Sequence, residues 1–106
     1  MLTINIAQQF TTTPGARNYT DGPKSGEEFY DKLLKDAFSK ALKENVKLKI
    51  ILDGTEGYAS SFLNEAFSLL GNEFGAEMAW NNIIVISNEV PKYIEKVKQS
   101  VYEKRK

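Results

Sequence analysis

The chain reads as an α/β protein, in the order strand, loop, helix, strand, helix, strand, helix. Three observations predict this. Short apolar runs near Leu2, Val46 and Ile83 alternate with longer stretches of helical periodicity. The second half of the Val46–Leu52 run is apolar at successive positions, as in a central strand covered on both faces. Helix-length segments separate the runs, so at least two neighbouring strands are parallel and joined by right-handed crossovers.

Leu2-Thr3-Ile4-Asn5-Ile6-Ala7 alternates apolar and polar residues and predicts a half-buried strand. Gln8 to Lys24 is rich in Thr, Gly and Pro, with turn signals at Pro14-Gly15 and Asp21-Gly22-Pro23. It is long for so small a chain, and a short further strand around Arg17 to Thr20 would fit it. Ser25-Gly26-Glu27-Glu28 is a capping box, opening a helix that runs to about Glu44. Phe29, Leu33, Leu34, Ala37, Phe38, Ala41 and Leu42 give that helix a broad apolar face, and Asn45 stops it.

Val46 to Leu52 is the next strand. A helix follows from about Phe62 and ends between Leu70 and Ala79, its later turns weakened by Gly71 and Gly75. Ile83-Ile84-Val85-Ile86 is the third strand. The last helix starts near Asn88 or Val90, with Pro91 in its first turn and Ile94, Val97 and Val101 on its apolar stripe. The expectation is one domain over residues 1–106, with a mixed sheet of about four strands and helices packed against it.

Composition excludes several function classes. The chain has no cysteine and no histidine. That removes disulfides, a thiolate nucleophile, Cys-based zinc sites and any Ser-His-Asp triad. The balance moves toward a non-enzymatic role without cofactor, and the lack of cysteine fits a cytoplasmic setting. There is no signal-peptide pattern and no apolar run of membrane-spanning length. Net charge is zero, so no global field favours nucleic acid. Charge is nevertheless segregated. No Lys or Arg lies between Ile50 and Pro91, where Asp53, Glu56, Glu65, Glu73, Glu77 and Glu89 are found, while the tail from Lys92 is basic. The acidic stretch reads as a solvated face or as a docking surface for a basic partner.

The densest chemistry lies in Asp53-Gly54-Thr55-Glu56-Gly57-Tyr58-Ala59-Ser60-Ser61-Phe62. An apolar strand runs into an acidic, Gly-punctuated turn, and two serines precede the helix. Either serine can cap the helix. A phosphate on either would meet unpaired amides and the positive end of the macrodipole, making the pair a candidate switch.

Three segments resemble the STAS-like family of unknown function, itself distantly similar to the STAS domains of anti-sigma-factor antagonists. They are Pro14-Gly15-Ala16-Arg17, then Gly22-Pro23-Lys24-Ser25-Gly26-Glu27-Glu28-Phe29, then Asp53 through Phe67. The resemblance implies a small STAS-like α/β fold and a regulatory, protein-binding role. It places the antagonists' phosphorylated serine at Ser61, after Ser60, with Ala59 where antagonists carry an acid and Phe62 where they carry glycine. A histidine-kinase-like ATPase is the partner class it implies. The expected docking surface comprises Gly54, Glu56, Tyr58, Phe62 and Glu65.

The alternative is a small-molecule or nucleotide sensor. Arg17, Lys24, Ser25 and Gly26 lie ahead of a helix start, where an anion can bind. Arg17 can instead pair with Asp53 or Glu56. Asp53 reads as a turn residue bonding its own backbone, or, with Glu56 and Glu65, as a magnesium ligand; the residues favour the turn and no metal site. Met78 and Trp80 are expected at the core edge, with a partner hot spot the alternative. Tyr19 and Tyr58, in loops, suit exposed contacts or satisfy buried loop carbonyls.

Overall fold

The structure, a computed structural model, describes residues 2–105. Strands β1 (Leu2–Asn5), β2 (Leu48–Ile51) and β3 (Ile83–Ile86) form one sheet in the order β1-β2-β3. Both pairings are parallel, and the register sets Ile4, Ile50 and Val85 abreast. Among the described residues the sheet is therefore parallel throughout with three strands, not mixed with about four.

The strand expected around Arg17 to Thr20 does not form, because that loop satisfies its backbone locally. Tyr19–Asp21 is a 3-10 turn. The Asp21 amide donates to the Asn18 carbonyl, and the Asn18 amide to the Asp21 carboxylate. Groups consumed in such turns are lost to a ladder. The first strand also ends early. Asn5 caps a helical turn, α1 (Ile6–Gln9), by accepting from the Gln8 amide at 3.1 Å.

The next helix comprises α2 (Gly26–Phe29), a π-helical turn (Tyr30–Leu34) and α3 (Lys35–Lys43). Ser25 caps it as expected, accepting from the Glu28 amide at 3.0 Å. The returning Glu28 carboxylate takes the Lys24 amide rather than that of Ser25. Asn45 ends the helix with φ 57°, a conformation Asn tolerates better than most residues.

Helix α4 (Ser60–Phe74) is the central element, buried at every position from Phe62 to Ser68. It packs against α2 and α6 (Lys92–Tyr102). Two glycines permit this approach. A Cβ on Gly26 would strike the Phe62 carbonyl, and one on Gly71 the Val101 carbonyl. Gly75, at φ 95°, breaks the path into α5 (Ala76–Asn81).

Both crossovers step the same way across the sheet, which puts their helices on one face. Ile4, Leu48, Ile50 and Ile83 are buried there, with Leu2 and Val85 packed against the core. Thr3, Asn5, Lys49, Ile51, Ile84 and Ile86 point to the other side and none is fully buried. β2 is central but covered on one face only, contrary to the expectation from its apolar run.

Candidate functional site

The turn after β2 is fastened from several directions. The Asp53 carboxylate accepts from the amides of Asn88 at 3.1 Å and Glu89 at 2.8 Å. Glu89 reciprocates, its carboxylate accepting from the Gly54 amide at 2.8 Å. Asp53 thus holds the loop after β3, rather than its own turn. Gly54 and Gly57 take φ of 96° and 125°, conformations that side chains disfavour. The Glu56 amide donates to the Thr12 carbonyl and the Ala59 amide to the Pro14 carbonyl, at 2.8 and 3.0 Å.

Tyr58 is buried beneath this turn. Its hydroxyl donates to the Leu52 carbonyl at 2.9 Å, and its amide donates to the Tyr93 hydroxyl at 3.0 Å. Burial pushes the Tyr58 phenol above its ordinary pKa. A cleft of about 260 Å³ lies between the two loops, lined by Asp53, Thr55, Glu56, Glu89 and Tyr93 among others.

Ala59, not a serine, stands at the N-cap of α4, and its side chain accepts no bond. Ser60 and Ser61 are the first two helical residues, Ser60 exposed and Ser61 half-buried. Among the described residues neither amide donates to a protein acceptor. The amino end of a buried helix therefore opens to solvent at these serines.

The expected docking surface is smaller than the sequence suggests. Gly54 and Glu56 are exposed, but Tyr58, Phe62 and Glu65 are buried. Phe62 stacks on Phe29 with ring centroids 5.8 Å apart and lies 5.8 Å from Tyr58. Glu65 meets two cations: Arg17 at 3.3 Å and Arg105 at 3.2 Å. Arg17 also donates to Asn64 Oδ1 at 2.8 Å, so it pairs with neither Asp53 nor Glu56. Sequence reasoning misses this cluster because its cations come from a loop and the tail. Burial on all sides is foreshadowed only by the density of apolar residues around Glu65.

The family of STAS-like domains of unknown function matches residues 25–93. The chain belongs to this family. The match runs from the Ser25 cap to Tyr93 and contains the Asp53–Ser61 turn and its partners in the loop after β3. No curated protein and no solved structure matches the chain.

In this STAS-like domain the residues expected to bind an anion do not converge. The Gly26 and Glu27 amides donate to the carbonyls of Ala16 and Arg17 at 2.9 and 3.0 Å. Ser25 is buried, and the Lys24 ammonium sits over the Phe10 ring, 4.9 Å from its centroid. With Arg17 committed to Glu65, the helix start is closed by protein groups. Among the described residues no cluster of acids could hold a metal ion. Among them, too, no helix is long and apolar enough to cross a membrane.

Proposed function

We propose that this STAS-like domain is a non-enzymatic docking module. A protein partner seats on the amino end of α4, over Ser60 and Ser61, and on the exposed Gly54 and Glu56 of the turn before it. Phosphorylation of Ser61, or of the more exposed Ser60, releases it.

The observation that carries this reading is the pair of amides at Ser60 and Ser61 that, among the described residues, donate to no protein acceptor, beside a turn pinned by Asp53, Glu89 and Thr12. A surface held in place before binding loses little freedom on association. A phosphate would add about −1.5 to −2 charge there, next to exposed Glu56. Its own helix would tolerate that charge, because the amino end of the macrodipole is positive. The partner's contact would not. A histidine-kinase-like ATPase is the partner class that the likeness to anti-sigma-factor antagonists suggests.

The test is a tagged pull-down from the native cell, read by quantitative mass spectrometry. Ser61→Asp is expected to reduce the captured partner about tenfold or more, and Ser61→Ala less than about threefold. Ser60→Asp and Ser60→Ala form the matching pair. Equal capture by the Asp and Ala variants at both positions would sink the switch.

A further inference from the structure

The second face of the sheet carries three isoleucines that the fold leaves half-buried. Ile51 of β2 and Ile84 and Ile86 of β3 lie on adjacent strands, with Ile51 and Ile86 in register. None belongs to the core, although every strand residue on the opposite face is buried or packed against it. Parallel sheets occur almost only with both faces covered, and helices do the covering. Here α6 packs against α4 and α5, which lie on the covered side.

The same face is cationic. Lys49 projects from the central strand, and Lys47, exposed, precedes it in phase. Among the described residues neither lysine forms an ion pair. The nearest carboxylate in phase, Asp53, is occupied by the Asn88 and Glu89 amides. A second copy laid face to face would set further lysines against Lys47 and Lys49.

We propose that this face docks an acidic amphipathic helix of a protein partner. The helix lays its apolar stripe over Ile51, Ile84 and Ile86 and turns glutamates toward Lys47 and Lys49. Apolar anchors at helical spacing supply affinity, as when a helix fills a groove, and the charge pairs set orientation. The surface lies on the opposite side of the sheet from α4, so it stands or falls independently of the Ser60–Ser61 reading.

The probe is a synthetic helix-forming peptide of about five turns, with leucines at i, i+3, i+4 and i+7 spacing and flanking glutamates. A counterpart carries lysines in place of the glutamates. Binding is read by fluorescence anisotropy at low salt, and its location by isoleucine methyl NMR. The acidic peptide is expected to bind about tenfold or more tighter than the basic one and to shift Ile51, Ile84 and Ile86. Lys49→Glu and Ile84→Asp should each weaken it about tenfold, while Lys47→Glu, at an exposed site outside any strand, gives a smaller loss with unchanged Tm. Equal binding of the two peptides, methyl shifts confined to other isoleucines, or no binding at millimolar peptide would overturn the proposal. So would sedimentation showing a dimer that Ile84→Asp dissolves, which would assign the face to a second copy.

Discussion

Asp53 holds two backbone amides from a loop 35 residues away. Replacing it with Ala removes a charged acceptor from groups that water can reach, so the expected loss is about 1.5 kcal/mol, at the lower end for hydrogen bonds to charge. Urea unfolding of Asp53→Ala against the parent measures it. Asn, with one acceptor oxygen in place of two, should lose less. An Asp before Gly is legible as a turn residue, but its partners are not, because nothing local encodes an amide so distant. Tyr58 shows the same division. Its loop position is read from the sequence, while only the packing decides that its phenol satisfies the Leu52 carbonyl. Of the two residues expected at the core edge, Trp80 packs there and Met78 is exposed.

Among the elements, the buried helix α4 depends on the absence of two β-carbons. Gly71→Ala and Gly26→Ala each drive a methyl into a neighbouring backbone carbonyl. Each should destabilise by about 1–3 kcal/mol, the range for overpacking. Gly15→Ala meets only an ordinary contact and should stay within about 0.5 kcal/mol of the parent. Thermal unfolding of the three variants separates these outcomes. In the sequence Gly71 reads as a weak point near a helix end, because propensity is local and close packing is not. The three longer helices, the third strand and the Ser25 cap are legible, since periodicity and capping chemistry act over a few residues, whereas the short α1 and α5 are not. The π-helical turn leaves no such trace. An apolar run such as Ile50-Ile51-Leu52 implies two covered faces, yet only the connection order decides how many helices reach each side.

For the molecule as a whole, stability is expected to fall at both extremes of pH. Burial, then a hydrogen bond to the Glu73 carboxylate, raises the Tyr30 phenol above its ordinary value, and burial does the same for Tyr58. Unfolded tyrosines ionise near about pH 10. The native state keeps those protons longer, so its stability is complete below that pH and is lost as pH rises toward the folded values. On the acid side the Tyr30 hydroxyl, with Lys35, holds Glu73 below the usual range. Burial opposes the same shift at Glu28, but the Lys24 amide and Lys32 outweigh it. Those contributions are present above about pH 4.3 and disappear as pH falls through the lowered values. Urea midpoints across pH should show both limbs, and Tyr30→Phe should flatten the alkaline one. An unchanged alkaline limb in that variant would mean that Tyr30 does not drive it.

The reciprocal hold between Asp53 and Glu89 has a dynamic consequence. Each loop carries the acceptor for the other's amides, so neither can lift away without stripping both sets of bonds. Fluctuations of the cleft are thereby reduced to one shared opening, and segments far apart in the chain breathe as a single unit.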